Sequence, residues 1–93
     1  MVDPPYALRT KVNGTPGNVY FSWTAPTGAQ FFEVQYTTDL SGETGWTSPG
    51  EMPSASKATF EGLTSGTRYS FRVRAWGNGR PGPWSTPVQQ MVL

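Results

Sequence analysis

Few side chains in this sequence could carry out catalysis, and the main candidates are carboxylates. The chain has neither histidine nor cysteine, so the usual general base, thiol nucleophile and transition-metal ligands are missing. The six acids are scattered over turns and outward faces: Asp3, Glu33, Asp39, Glu43, Glu51 and Glu61. No two are spaced as an acid–base couple, and none lies in a run dense enough in oxygen ligands to bind calcium. The sequence therefore predicts no enzyme, no metal site and no cofactor.

The most informative pattern is an alternating run over residues 66–76, with the sequence GTRYSFRVRAW. Its apolar positions are Tyr69, Phe71, Val73 and Ala75, and its polar positions are Arg68, Ser70, Arg72 and Arg74, followed by Trp76. A period of two is typical of a β-strand with one buried face. The chemistry this outward row can offer is stacking or recognition, because guanidinium groups are attracted to the faces of aromatic rings.

The length and composition predict one domain over residues 1–93, with an ordered core at about 5–92. A chain of this size can bury enough surface to fold alone. The 11 glycines and nine prolines divide the sequence into short alternating runs, which favours many short strands joined by turns. We expect this unit to be one module of a longer protein and to be a monomer in isolation.

The charge balance argues against two classes of partner. A formal net charge of +1, with charged residues at 14%, is too even for electrostatic capture of nucleic acid or of an anionic membrane. No apolar run approaches the roughly 20 residues needed to span a bilayer. The first residues, MVDPPY, lack the basic start and apolar stretch of a signal peptide. The compartment is therefore not predicted from these features.

Seven short strands are predicted, and no stretch shows helical periodicity. They cover residues 6–12, 18–23, 31–37, a short strand starting at Trp46, 57–63, 69–75 and 84–93. Residues 77–82 read as a tip loop. Seven short antiparallel strands in a chain of this length predict an all-β, immunoglobulin-like sandwich of two sheets.

Four segments of the sequence resemble the fibronectin type III domain in order and spacing. They are Ser22, Trp23 and Pro26; FEVQY at 32–36; GLTSGTRYSFRVRA at 62–75; and GPWSTPV at 82–88. The resemblance covers nearly the whole chain, and its most specific parts are Trp23 and the pair Leu63 and Tyr69. In this family the tryptophan fills the core, and the tyrosine makes a corner whose hydroxyl bonds to the backbone upstream. Within the family the sequence looks most like modules of bacterial multidomain proteins.

The resemblance implies strands A, B and E in one sheet and C, C′, F and G in the other. It also implies a non-catalytic role as a spacer or a protein-interaction module, with neighbouring domains or another protein as partners. An extracellular or cell-surface location is favoured by the resemblance alone. The adhesion tripeptide Arg-Gly-Asp, which some members carry on the F–G loop, is absent here.

The outward arginines are predicted to form a stack on the C–F–G sheet. We expect Arg72 or Arg74 to lie on the ring of Trp84 and to pair with Glu33. The segments RVR and PWS also resemble half of the arginine–tryptophan ladder of cytokine-receptor modules. There a second tryptophan follows three residues after the first. Pro87 occupies that position here, so a shortened ladder is predicted.

A possible contact surface consists of Trp46, Trp76, Asn78 and Arg80, as an aromatic and cationic cluster near one end of the sheet. Two more specific roles remain open. In the first, Trp46 and Trp76 are sugar-stacking rings of a carbohydrate-binding module. In the second, the Asn-Gly-Arg run at residues 78–80 forms an integrin-like motif after isoaspartate formation at Asn78, whereas the ordinary reading of Asn-Gly is a hairpin turn. Display on a virion or phage tail is a third role, which the sequence neither supports nor excludes.

Overall fold

Seven β-strands form two antiparallel sheets in the computed structural model, which describes residues 3–12, 16–41, 44–48 and 54–93. The strands are β1 (Tyr6–Lys11), β2 (Val19–Thr24), β3 (Phe31–Thr37), β4 (Lys57–Phe60), β5 (Arg68–Gly77), β6 (Arg80–Pro81) and β7 (Val88–Met91). One sheet has the order β1-β2-β4. In the other, β5 lies between β3 and both β6 and β7. The predicted all-β sandwich is confirmed. The described ranges contain no helix able to cross a membrane.

Three predicted strands differ from the observed ones by more than two residues at one end. The strand expected from Trp46 is reduced to a single bridge between Thr47 and Tyr36. The strand expected over 57–63 ends at Phe60, because the chain turns at Gly62 with a φ of 71°. The segment expected as one strand over 84–93 is paired regularly only at Val88–Met91, while Arg80–Pro81 forms β6 inside the expected tip loop.

Proline explains why the last strand is interrupted. Pro83 and Pro87 have no N–H to donate, so the segment from β6 to β7 cannot form a continuous ladder of hydrogen bonds with β5. The intervening chain still follows β5, because the N–H of Ser85 donates to the carbonyl of Val73 at 2.8 Å. This irregular segment carries Trp84.

The core is built mainly from aromatic rings on the inward faces of β2 and β5. Phe21 is 1% exposed and its ring centre lies 5.1 Å from that of Trp23 and 5.8 Å from that of Phe71. Trp23 also meets Phe32 edge to face at 5.2 Å. Burying side chains of this size stabilises the fold by roughly 1.5–3 kcal/mol each, so a chain without disulfides can hold two sheets together.

The segment that connects β4 in one sheet to β5 in the other is fixed by a hydrogen bond to Tyr69. The hydroxyl of Tyr69 accepts a hydrogen bond of 3.0 Å from the backbone N–H of Thr64, and Leu63 is buried beside it. The N–H of Leu63 donates to the carbonyl of Gly17, whose φ is 83°. A β-carbon at Gly17 would lie 3.0 Å from the carbonyl oxygen of Leu63, so this close approach requires glycine.

The first and last strands place the two ends of the described chain far apart. Tyr6 pairs with Thr24, at the end of the sandwich where Phe31 pairs with Trp76. At the opposite end, the carbonyl of Leu93 accepts a hydrogen bond from Gly17. The longest extent of the molecule is 38 Å. The chain therefore enters at one end of the sandwich and leaves at the other.

Candidate functional site

The outward face of β3 and β5 is organised by their register. Gln35 lies opposite Arg72, Glu33 opposite Arg74, and Phe31 opposite Trp76. Directly opposed residues of an antiparallel pair point to the same side of the sheet, with β-carbons about 4.5–5.5 Å apart. The register therefore places two arginines, their polar partners and an aromatic pair on one surface.

Three tryptophans alternate with the two arginines on this surface. The guanidinium carbon of Arg72 lies 4.0 Å from the ring centre of Trp46 and 4.1 Å from that of Trp84. The guanidinium carbon of Arg74 lies 4.5 Å from the ring centre of Trp84 and 5.5 Å from that of Trp76. All four distances are within the range of a cation–π contact. We call the array Trp46, Arg72, Trp84, Arg74 and Trp76 the Trp–Arg stack.

Each arginine of the stack is held from β3 by its opposed side chain. Oε1 of Gln35 accepts hydrogen bonds from Nε and Nη2 of Arg72, at 3.1 and 2.6 Å. Oε1 of Glu33 accepts from Nε of Arg74 at 2.7 Å, and Nη2 of Arg74 lies 2.6 Å from the same oxygen. Of the two expected pairings, the register therefore selects Glu33 with Arg74 and gives Arg72 an amide partner.

The electrostatics of the stack follow from this arrangement. Burial lowers the pKa of Arg72, the neighbouring charge of Arg74 lowers it further, and Glu33 acts in the opposite direction. Arginine stays protonated in proteins because its ordinary pKa lies far above neutrality. The stack thus contains two cations, Arg72 and Arg74, and the carboxylate of Glu33 pairs with Arg74.

A loop after β3 places Trp46 over Arg72. Asp39 closes this loop: Oδ1 accepts from the backbone N–H and hydroxyl of Ser41 at 3.0 and 2.6 Å, and Oδ2 accepts from those of Thr44 at 3.1 and 2.9 Å. These hydrogen bonds lower the pKa of Asp39 to about 2, the Ser41 hydroxyl contributing most. Hydrogen bonds to the ionised form of a carboxyl favour that form.

The same loop is also tied to the end of β3. The hydroxyl of Thr37 donates to the carbonyl of Thr44 at 2.9 Å, and a β-carbon at Gly45 would lie 3.0 Å from that hydroxyl oxygen. Gly45 has a φ of 75°, which suits glycine. This role of Asp39 was not predicted from the sequence. An acid followed by hydroxyl residues two and five positions later is the signal that could have indicated it.

Comparison with known proteins agrees with this fold. A family model of the fibronectin type III domain matches residues 3–91. The chain belongs to the fibronectin type III family. The resemblance seen in the sequence is thereby confirmed. A search of curated proteins found no similar sequence.

Several solved structures share the fold of this fibronectin type III domain. An Fn3-like protein from Clostridium thermocellum has a TM-score of 0.82 and 24% identity, over 91% of this chain and 86% of that one. The FN1–FN3 domains of chicken CNTN1 have a TM-score of 0.84 and 19% identity, over 99% of this chain and 31% of theirs. A titin fragment has a TM-score of 0.78 and 23% identity, over 96% of this chain and 31% of its own. This fibronectin type III domain therefore spans about a third of each of the last two.

The stack of this fibronectin type III domain is longer than expected. The shortened ladder was predicted because Pro87 stands where a second tryptophan would be expected, and the structure adds a ring from another segment of the chain. Trp46 comes from the loop after β3, and its ring centre lies 4.0 Å from the guanidinium carbon of Arg72. Spacing along the chain cannot place a ring that arrives from a separate loop.

Trp46 and Trp76, which were expected in one cluster with Arg80, lie at opposite ends of the stack. Trp46 contacts Arg72, whereas Trp76 is at the other end of the stack and lies nearly parallel to Phe31, at 5.7 Å and 14°. Nε1 of Trp76 donates to Oε1 of Glu33 at 3.1 Å. Arg80 is exposed in the hairpin strand β6. The two rings are separated because each is fixed by a different arginine.

The Asn-Gly pair forms the tip of the hairpin between β5 and β6. Asn78 and Gly79 have φ values of 54° and 71°, and two positive values are what a type I′ turn requires. The N–H of Asn78 donates to Oε1 of Gln30 at 3.2 Å. The geometry gives this pair a turn-forming role.

The described ranges contain no group of three or more His, Cys, Asp or Glu side chains that could hold a metal ion. Two of the acids considered in the sequence, Glu43 and Glu51, lie outside the described residues. Glu33 and Asp39 both act as hydrogen-bond acceptors for their neighbours. The arrangement is suited to holding a surface rigid and to contacting a partner.

Proposed function

We propose that this fibronectin type III domain is a non-catalytic spacer and protein-interaction module of a larger protein. The observation that carries the proposal is the placement of its two ends. Tyr6 begins β1 at one end of the sandwich, and Leu93 is hydrogen-bonded to Gly17 at the other, along a molecule whose longest extent is 38 Å. Modules joined through such ends lie one after another, so each adds length to the chain of domains.

The Trp–Arg stack supports a mechanical role. It joins the loop after β3, strand β5 and the irregular segment before β7 through side chains on one outward face. Each cation–π contact contributes about 0.5–1 kcal/mol when exposed and more when desolvated. A sheet tied across three chain segments resists bending and local opening, and this is the property a spacer requires.

The related structures support a neighbouring-domain arrangement. The titin fragment and the FN1–FN3 domains of CNTN1 are both longer than this chain, which matches about a third of each. Identities below a quarter carry the fold and not a shared partner. We therefore propose adjoining domains of a parent chain as the first partners of this module.

A sugar-binding role has less support from the geometry. Stacking on a sugar needs an open ring face, and the ring of Trp76 already contacts Phe31 and Arg74. Trp46 contacts Arg72, at the opposite end of the stack. The two rings do not form one open aromatic surface, so we do not propose carbohydrate as the ligand.

The spacer role can be tested with two copies of this chain joined by a short linker. Small-angle X-ray scattering should give the tandem a maximum dimension of roughly twice the 38 Å of one copy, because the linked ends lie at opposite poles. The single chain and a tandem with a long Gly/Ser linker are the controls. A short-linked tandem that folds back side by side would contradict the proposal.

A further inference from the structure

The outer face of the β1-β2-β4 sheet carries a group of cationic side chains that the proposed spacer role does not require. The register places Lys11, Tyr20 and Thr59 in one row across the three strands. Arg9, Ser22 and Lys57 form the next row. Because opposed residues share a face, three cations surround Tyr20 on one side of this sheet. We call Arg9, Lys11, Tyr20 and Lys57 the basic face.

The three cations of the basic face form no ion pair within the described part of the chain. The ion pair found there joins Arg74 to Glu33, on the other sheet. Glu61 lines a neighbouring depression together with Tyr20 and Lys57, but it forms no ion pair with any of the three cations. The two outward faces thus differ: one pairs its arginines with its own side chains, and the other presents three exposed cations to solvent.

The basic face also has an apolar centre and an open depression. Tyr20 is 38% exposed, and the depression of about 420 Å³ is lined by Tyr20, the three cations and the strands between them. Tyrosine and arginine are enriched among the residues that carry most of the energy of protein interfaces. A ring flanked by cations suits a partner that offers an apolar side chain surrounded by carboxylates.

We propose that the basic face binds an acidic surface of a partner protein. The proposal rests on the interaction role in the proposed function and identifies its surface and the chemistry of the partner. Arg9 and Lys11 are two residues apart on β1, or about 7 Å, and Arg9 and Lys57 are two strands apart, or about 10 Å. The partner's carboxylates would match these separations.

The number of charges favours a protein over a polyanion. Nucleic acids and densely sulfated polymers bind through many ionic contacts, about 6–10 in typical sites on DNA, and their affinity depends on a long cationic track. Here the cations are three, and the sheet ends at β4 on one side. Complementary charges across such a patch mainly set the orientation and rate of docking, while the central ring adds contact area.

Backbone amide NMR titration tests this inference with defined probes. The first probe is a short peptide alternating glutamate and leucine; the others are a glutamate–serine peptide of equal charge and a sulfated oligosaccharide. We expect the glutamate–leucine peptide to bind most tightly and to shift the amides of residues 9–11, 20–22 and 57–59. The double variant Arg9→Gln, Lys11→Gln should weaken binding roughly tenfold or more, since two ionic contacts are lost.

A matched variant removes the same charge elsewhere. Arg68→Gln with Arg80→Gln changes two exposed arginines outside the basic face and should leave the affinity unchanged. Equal losses in the two double variants would overturn the proposal, because binding would then follow net charge alone. Tighter binding of the oligosaccharide, or no shift on the basic face with any probe, would overturn it as well.

Single-residue variants and the length of the tandem distinguish failure of this proposal from poor folding of the double variant and from failure of the spacer role. Lys57→Gln and Tyr20→Ser change the same face one residue at a time, and both should weaken peptide binding even if the double variant folds poorly. The length of the tandem does not depend on these positions. A tandem that folds back would therefore contradict the spacer role and leave the basic face standing, whereas a failed titration would do the reverse.

Discussion

The indole of Trp76 donates a hydrogen bond of 3.1 Å to Oε1 of Glu33, the same oxygen that receives the guanidinium of Arg74. One carboxylate oxygen therefore fixes both an arginine and the last ring of the Trp–Arg stack. Glu33 is 16% exposed at its side chain, so these contacts are partly shielded from water.

Replacing Glu33 should loosen one end of the stack. Glu33→Ala leaves the Nε atoms of Arg74 and Trp76 without their acceptor, and we expect a loss of about 1–2 kcal/mol in the free energy of unfolding. Glu33→Gln should lose less, because its amide oxygen still accepts hydrogen bonds. Urea denaturation measures both. The exposed acid Glu61 is a control, and an equal loss in Glu61→Ala would contradict this role.

Removing the central ring should affect both arginines. Trp84→Ala takes away a contact with Arg72 and one with Arg74, and we expect a loss of about 1–3 kcal/mol in stability together with shifted Nε NMR signals of both. Trp84→Phe keeps an aromatic face and should lose less. The Nε signal of Arg80 serves as a reference. Unchanged stability and unchanged signals of the two stacked arginines would show that the stack does not hold in solution.

Asp39 should make the loop below Trp46 sensitive to acid. Its folded pKa of about 2 lies below the ordinary 3.8, so its stabilising effect is present above about 3.8 and is lost as the pH falls towards 2. The NMR-detected pKa of Asp39 should lie near 2. Asp39→Asn should be less stable than the parent at neutral pH, and this difference should shrink between pH 4 and pH 2. A difference that stays constant over that interval would contradict the assignment.

Ala7 should be a site where glycine stabilises the fold. Its φ is 54°, in a part of β1 where the register with β2 shifts between Tyr6 and Arg9. A left-handed conformation costs an L-residue about 1 kcal/mol that glycine does not incur. Glycine also loses about 0.4–1 kcal/mol more backbone entropy than alanine on folding, so we expect Ala7→Gly to raise the melting temperature by only about 1–4 °C. Ala25→Gly, at an exposed position without a positive φ, should instead lower it. Parallel changes in the two variants would rule out relief of strain as the cause.

Much of the architecture could be predicted from the sequence because its causes are local. Alternation in β2, β3 and β5 depends on the period of two in a strand, and it places Phe21, Val34 and Val73 inward. The Asn-Gly hairpin depends on which residues accept a positive φ. The interrupted last strand was harder to predict, because Pro83 and Pro87 break hydrogen bonds without stopping the chain from following β5.

The sequence by itself determined the two-sheet sandwich, its inward rings and the row of outward arginines. Only the tertiary structure decided which residues meet those arginines. Glu33 faces Arg74 and not Arg72 because the register pairs residue 33 with residue 74. A slip of two residues would keep every side chain on its own face and would pair Glu33 with Arg72, so the alternating pattern alone does not choose between the two arginines. Trp46 reaches Arg72 because Asp39 folds a loop that has no period to read. Contacts between segments distant in sequence depend on packing, and packing is set by the whole fold at once.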